Sequence, residues 1–196
     1  MPKDLDGIAN ITISGRIASG TTTLAHNLSK QIGWELLEGG ELFRKFHEEH
    51  LNDKSEIAVD QRPDEFDLEY EEKIKEILKS ETHRIIQSHL SGFDAQGIPD
   101  IFKILVICED NEGNDHPDIR IDRLVNRKKI SVEDAKKEIA EREKNNLEKW
   151  RRMYANGDPN WVYWDPKYYD LIINTYLNNP SDSLKLVLDK VKSPQA

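Results

Sequence analysis

The chain has 196 residues and a formal charge of −9, with 37% hydrophobic and 33% charged residues. Its length predicts one domain, and the acidic excess argues against a general affinity for nucleic acid or a membrane surface, since binders of either usually carry a basic excess. The single cysteine excludes a disulfide framework, and no apolar run approaches the length that spans a bilayer. We expect a cytoplasmic monomer.

Short apolar runs alternate with helical patterns along the chain. Strands are indicated by short apolar runs rich in β-formers, at 8–14, 34–37, 84–87, 102–107 and 169–173. Helices are indicated by apolar residues three and four positions apart, at 21–32, 39–46, 66–78, 131–154 and 184–191, with a short helix around 121–125. This alternation is typical of an α/β protein with a parallel sheet.

The segments between these elements are predicted as loops or turns. They are the polar segment 52–64, the segment 91–99, the turn 111–117 and the aromatic segment 158–166. Ser131 precedes the long helix and has Asp134 three positions later, where the side-chain partner of a helix cap is expected. Cys108 lies in an apolar run and is predicted to be buried.

The sequence Gly-Arg-Ile-Ala-Ser-Gly-Thr-Thr at residues 15–22, called the P-loop below, follows the first strand and opens the first helix. Its two glycines have the spacing of the phosphate-binding pattern Gly-x4-Gly-Lys-Ser/Thr, but Thr21 occupies the lysine position. In such loops, backbone N–H groups and the positive end of the helix dipole bind phosphate, and the hydroxyl at Thr22 contacts Mg²⁺. A plain strand-to-helix turn is the alternative. Arg16 is our candidate to replace the missing lysine charge.

Gly40 and Arg44 follow the second predicted strand. In a parallel sheet, they lie at the same edge as the P-loop, where ligands of open α/β sheets bind. A guanidinium can bind a second phosphate through two hydrogen bonds. The alternative is a surface arginine beside the aromatic ring of Phe43.

The segment 120–152 is basic, with twelve Lys and Arg against seven Asp and Glu in an otherwise acidic chain. Arg120, Arg123 and Arg127 are three and four positions apart, and Arg142 and Lys149 are seven apart, so each set lies on one face of a helix. Such helices can close over a transferring phosphoryl group and stabilise its charge. A solvent-exposed helix with alternating charges is the alternative.

Five segments together match the pattern of one family. They are Ile-Ser-Gly-x4-Gly-Thr-Thr-Thr at 13–23, Gly-Glu-Leu-Phe-Arg at 40–44, Ile-Ser-Val-Glu-Asp-Ala at 130–135, Glu-Arg-Glu at 141–143 and Tyr-Asp-Leu-Ile-Ile-Asn-Thr at 169–175. In these segments the chain resembles the cytidylate kinases, especially the small archaeal-type ones, within the adenylate-kinase-like nucleoside monophosphate kinases. The resemblance extends from about Ile11 to the final helix.

The resemblance implies a fold, a reaction and a set of site residues. The fold is a three-layer α/β P-loop NTPase fold, with a five-stranded parallel sheet flanked by helices, in one domain with a monophosphate-binding arm at 39–82 and a lid at 111–155. The reaction is transfer of the γ-phosphoryl group of ATP, with Mg²⁺, to CMP or dCMP. The residues implied for ATP are Gly15, Arg16, Ala18, Ser19, Gly20, Thr21, Thr22 and Thr23. Those implied for the monophosphate are Gly40 and Arg44, and those on the lid side are Arg123, Arg127, Arg142 and Lys149.

The chain departs from this family where the acceptor phosphate is expected. It has Gln87-Ser88-His89 where the family has Glu-Gly-Arg, Glu72-Lys73 where the family has a double arginine, and Lys149 where arginine is typical. Lysine and histidine do not reproduce the forked hydrogen bonds of arginine, so monophosphate binding is expected to be weakened or rebuilt. His89 and Arg62 are candidates to bind the acceptor phosphate. For His89, a structural role at the strand end is the alternative.

These departures leave two alternatives to a nucleoside monophosphate kinase. One is a nucleotide-binding regulator with little catalytic activity, because several basic positions of the family are changed together. The other is a P-loop kinase that acts on another small acceptor, because the changed residues lie on the acceptor side. In each case the expected partners are small-molecule nucleotides, without nucleic acid and without a membrane.

Overall fold

The computed structural model of the protein describes residues 2–43, 45 and 63–192. Five parallel strands form one sheet in the order β2-β3-β1-β4-β5. The strands are β1 (Asn10–Gly15), β2 (Glu35–Glu38), β3 (Arg84–Gln87), β4 (Ile101–Ile107) and β5 (Leu171–Asn174). The predicted five-stranded parallel sheet is confirmed, and each strand lies within two residues of its predicted bounds.

The helices pack on both faces of this sheet. They are α1 (Thr21–Ile32), α2 (Asp64–Ser80), α3 (Ser91–Asp94), α4 (Pro117–Lys128), α5 (Val132–Tyr154) and α6 (Pro180–Val191), with a 3-10 helix at Pro166–Tyr168. Residues 39–43 are also helical, as predicted. The end of that predicted helix and nearly all of the predicted loop 52–64 lie outside the described residues. In the part of the chain that the structure describes, no helix is both long and apolar enough to cross a bilayer.

Strand β1 lies at the centre of the sheet, and all six of its residues are buried. One face of the sheet packs against α1 and α6, where Leu24, Leu28 and Ile32 recur at helical spacing and are at most 3% exposed. The other face packs against α2, whose Ile74 and Leu78 contact the side of the sheet that carries Ile86. Fully burying one such side chain stabilises the fold by roughly 1.5–3 kcal/mol. This packing fixes the P-loop, which leaves the end of β1.

Two local predictions can be compared with the structure. The Ser131 cap is confirmed, because Ser131 Oγ accepts a hydrogen bond from the Asp134 backbone N–H at 3.0 Å and lies 2.6 Å from Asp134 Oδ2. The prediction that 91–99 is entirely loop is wrong, because Ser91 begins the helix α3. The Ser91 backbone N–H donates to Ser88 Oγ at 3.0 Å at the start of this short helix. Four helical residues are too few to show an amphipathic period.

Candidate active site

The carboxyl ends of the five strands meet at one edge of the sheet, as expected for a parallel sheet. The P-loop follows β1, Gly39 follows β2, and Thr175 follows β5. The end of β2 approaches the end of β3 closely, since a Cβ atom on Gly39 would lie 2.5 Å from Ser88 Cβ. The elements that carry the predicted site are therefore brought together.

The P-loop is a tight turn that leads directly into α1. The Ser19 N–H donates to the Arg16 carbonyl at 3.1 Å, and Ala18 and Gly20 have positive φ angles of 60° and 112°. A Cβ atom on Gly15 would lie 2.5 Å from the Val106 carbonyl oxygen and 2.6 Å from Ser19 Oγ. Only glycine fits at this position.

The start of α1 offers uncompensated hydrogen-bond donors. No side chain caps the helix at Gly20, so its first backbone N–H groups are available to an anion. Within the described residues, the buried Ser19 hydroxyl also has no hydrogen-bond partner. Because a buried polar atom without a partner is costly, both features fit a loop that binds a phosphate oxygen.

The three threonines of the P-loop and helix start have different environments. Thr21, at the lysine position, is buried, and its hydroxyl accepts a hydrogen bond from Gln87 Nε2 at 3.3 Å. Thr22 is partly exposed and Thr23 is exposed. The Thr21–Gln87 contact is uncharged, so neither residue supplies the missing positive charge. Thr22 has the accessible hydroxyl.

Arg123 of α4 joins the P-loop to the end of β5. Its Nη1 donates to the Ser19 carbonyl at 3.0 Å and to Thr175 Oγ1 at 2.9 Å, and its Nη2 donates to the Thr175 carbonyl at 2.9 Å. Thr175 Oγ1 also donates to the Ser19 carbonyl at 2.6 Å. Every acceptor is uncharged, and no described carboxylate forms an ion pair with Arg123. Its positive charge is therefore not neutralised by an ion pair beside the P-loop.

Arg16 is held by carboxylates of the neighbouring segments. Its Nε and Nη2 donate to Glu143 at 3.1 and 2.6 Å, Nη1 lies 3.0 Å from Asp115 Oδ2, and Cζ lies 4.7 Å from the centre of the Trp164 ring. Burial alone would lower the pKa of Arg16, but the hydrogen bond and charge of Glu143 raise it above the ordinary value. Sequence reasoning missed Glu143 and Asp115 as partners, although Glu143 lies in the quoted Glu-Arg-Glu segment.

The other predicted cations occupy three different environments. Arg142 is exposed and donates to Glu138 at 3.0 Å. Arg127 is exposed and makes no ion pair within the described ranges. Lys149 is buried and forms an ion pair with Asp67 of α2. The expectation that Arg142 and Lys149 present one common basic face is wrong, because Lys149 points into the carboxylates of α2.

His89 follows β3, and its ring contacts the first residue of the P-loop, Gly15. Its Nδ1 lies 2.9 Å from the Gly15 carbonyl oxygen, and burial lowers the pKa of His89 to about 4, so the ring is neutral at pH 7. A neutral ring that donates from Nδ1 keeps Nε2 as an acceptor. In this state His89 does not donate to a phosphate, and the geometry favours the structural alternative.

Gly40 is exposed at the start of the helical residues 39–43. The Tyr70 hydroxyl donates to the carbonyl of the preceding residue, Gly39, at 3.0 Å and so ties this turn to α2. Arg44 and Arg62, the two predicted guanidinium ligands of the monophosphate, lie outside the described residues.

Three buried carboxyl groups lie where α2 packs against α3. They belong to Asp67 and Glu71 of α2 and Asp94 of α3, and each side chain belongs to a residue at most 6% exposed. Burial raises the pKa of Glu71 to about 7 and raises the pKa of Asp94 well above its ordinary value. The Tyr154 hydroxyl of α5 donates to Glu71. The sequence does not predict this buried group, because acidic residues on a helix are typical of a solvent-exposed face.

The buried Glu71 predicts a specific dependence of stability on pH. Its folded pKa of about 7 exceeds the unfolded value of 4.5, so the native state binds more protons between these values and Glu71's contribution to stability falls as the pH rises through them. Glu71→Gln should therefore gain about 1–3 kcal/mol of unfolding free energy relative to the parent between pH 5 and pH 8. Urea unfolding at each pH measures this, and Glu69→Gln, on an exposed position of α2, is the control. A difference that does not change with pH would contradict the prediction.

The residues present fit Mg²⁺ that is bound together with ATP. Mg²⁺ usually takes one or two protein ligands together with substrate phosphates and water. Thr22 offers one accessible hydroxyl at the start of α1. Among residues 2–43, 45 and 63–192, no group of three His, Cys, Asp or Glu side chains is arranged to hold a metal by itself.

Comparison with known proteins gives consistent results. The family model described as "Cytidylate kinase-like family" matches residues 10–176. The cytidylate kinase of Methanopyrus kandleri is 34% identical over 169 residues, which are 84% of this chain and 83% of that protein. Among solved structures, an uncharacterized protein from Eubacterium ventriosum has a TM-score of 0.66 at 14% identity, covering 95% and 99% of the two chains. Shikimate kinase from Bacteroides thetaiotaomicron has a TM-score of 0.56 at 13% identity, covering 94% and 99%.

Proposed function

This chain belongs to the cytidylate kinase-like family, and we propose that it transfers the γ-phosphoryl group of ATP to CMP or dCMP. The observation that carries the proposal, beside the family, is the P-loop itself. An uncapped helix start and a buried hydroxyl lie next to Arg123. Within the described residues, that hydroxyl has no hydrogen-bond partner and Arg123 makes no ion pair. Together they form an anion site at the edge of the sheet where nucleotides bind in this kind of fold.

On the donor side, the chain needs to position a polyphosphate and balance its charge, because phosphoryl transfer asks for little covalent chemistry from the protein. The N–H groups of the P-loop and of the first turn of α1 orient the phosphate oxygens. Arg123 contributes positive charge at the rim of the loop. Thr22 would hold Mg²⁺, which neutralises charge on the phosphates when it is bound.

On the acceptor side, we propose that Gly40, Arg44 and Arg62 bind the monophosphate. Arg127, which makes no ion pair within the described residues, and Arg142, which is paired with Glu138, are exposed in the lid region, residues 111–155, and we propose that they contribute charge from there. His89 fixes the Gly15 carbonyl instead of binding phosphate. We further propose that the protein works as a cytoplasmic monomer on small nucleotides.

A panel of acceptors tests the reaction. ADP release from ATP should be stimulated at least about tenfold by CMP or dCMP over AMP, GMP and UMP, which corresponds to a difference of about 1.4 kcal/mol in transition-state binding, and chelation of Mg²⁺ should abolish it. Binding of ATP without turnover on any acceptor would favour the regulator instead. A phosphorylated nucleoside or sugar, with no product from monophosphates, would favour a kinase of another small acceptor.

A further inference from the structure

Four charged side chains form a closed network beside the P-loop. Glu143 and Asp115, which bind Arg16, also bind Arg120 of α4, with Nη1 2.6 Å from Glu143 Oε1 and Nη2 2.8 Å from Asp115 Oδ2. Two guanidinium groups and two carboxylates give the network a net charge of zero. Within the described residues, the network connects the P-loop, α4, α5 and the turn before α4.

Arg120 is committed to this network. Its side chain is 1% exposed, and Nη1 also donates to the carbonyl oxygen of Ile17 in the P-loop at 2.9 Å. Ile17 is itself buried against Leu124 of α4 and Ile139 of α5. The P-loop is thus held from its outer side by both a polar and an apolar contact. A buried guanidinium does not leave two carboxylates without a large desolvation cost.

Of the two arginines in this network, Arg16 is the one whose side chain could move to a bound nucleotide. All three of its guanidinium nitrogens lie within ion-pair or hydrogen-bond distance of Glu143 or Asp115, and one face of the group lies over Trp164. If Arg16 left, Arg120 would face two carboxylates alone, and the network would carry a net negative charge beside a polyphosphate. Charges in a partly buried site repel more strongly than in water, so this departure is unfavourable.

We propose that Arg16 is a positioning residue that neutralises Glu143 and Asp115 beside the P-loop and does not bind the phosphates of ATP. Its partners Glu143 and Asp115 hold all three of its guanidinium nitrogens. The inference rests on the proposed ATP site and deepens it, because it assigns the positive charge at the loop to Arg123 instead of Arg16.

Substituting Arg16 and Glu143 singly and together tests whether Arg16 balances charge or binds the phosphates. Arg16→Met leaves the network with a net negative charge and should weaken binding of Mg²⁺-ATP by about tenfold or more, a deficit that shrinks as salt screens the repulsion. Glu143→Gln should bind at least as tightly as the parent. The double variant restores zero net charge and should recover to within about threefold of the parent. Glu141→Gln, an exposed position of α5, is the matched control.

Calorimetric titration of each variant with Mg²⁺-ATP measures these affinities, with thermal unfolding to confirm that each variant is folded. A double variant that binds as weakly as Arg16→Met would show that Arg16 itself contacts the phosphates. A loss in Glu143→Gln equal to that in Arg16→Met would also overturn the charge-balancing role. A parent protein that binds no Mg²⁺-ATP would overturn the proposed function as well, whereas a parent that binds and turns over ATP confines the failure to this inference.

Discussion

Gly15→Ala is expected to lower kcat/KM for ATP by about 100-fold or more, because displacing a reacting group by an ångström already costs about that much. The added Cβ would lie 2.5 Å from the Val106 carbonyl oxygen and 2.6 Å from Ser19 Oγ. Val106 belongs to β4, whose ladder with β1 holds it in place, so the P-loop must shift instead. Initial rates at varied ATP, with CMP saturating, measure the loss.

The matched control for this variant is Gly97→Asn. A Cβ at Gly97 would meet nothing within 4 Å, and its φ of +77° is one that asparagine tolerates. Its kinetics should match those of the parent. Gly15→Ala with parental kcat/KM would show that the turn is not part of the nucleotide site, and a lowered melting temperature alone would show that its role is confined to folding.

Arg123→Met is expected to lower kcat/KM for ATP by about 10²–10³-fold, as the loss of one preorganised group that stabilises transition-state charge typically does. The substitution removes both the hydrogen bonds to the Ser19 and Thr175 carbonyls and a positive charge that no described carboxylate neutralises. Steady-state rates and ATP affinity, measured together, separate loss of turnover from loss of binding.

Two further variants divide the effect of Arg123 into its parts. Arg123→Lys keeps the charge but loses the forked hydrogen bonds, so it should retain an intermediate activity. Lys128→Met removes a charge from the same helix that is paired with Glu138 on the exposed side, and it should leave kcat/KM unchanged. Equal losses in Arg123→Met and Lys128→Met would mean that only the overall charge of α4 matters.

The sequence predicted the parts of this protein that depend on short-range patterns. The P-loop, the order of strands and helices and the Ser131 cap follow from spacing and composition alone. The family was recognised from five segments, and the comparisons confirm it. The four-residue helix α3 was missed because so short a helix has no amphipathic period.

Ion pairing is what the sequence did not predict. Arg16 and Lys149 were expected to serve nucleotides, but Glu143 and Asp67 bind them, and these acids lie 127 and 82 positions away in the chain. Local spacing predicts the face of a helix on which a charge lies. It does not predict the carboxylate that meets that charge when distant elements pack together.

The bond between Thr175 and the Ser19 carbonyl joins residues 156 positions apart, and this separation determines the order in which the site is assembled during synthesis. β1 is made before its neighbours β3 and β4, which lie near residues 84–107, and Thr175 is made only after β5. Contacts of such long range form late, since loop closure precedes them. A nascent chain therefore cannot form the hydrogen bond that holds the Ser19 carbonyl before β5 has been made and has joined the sheet.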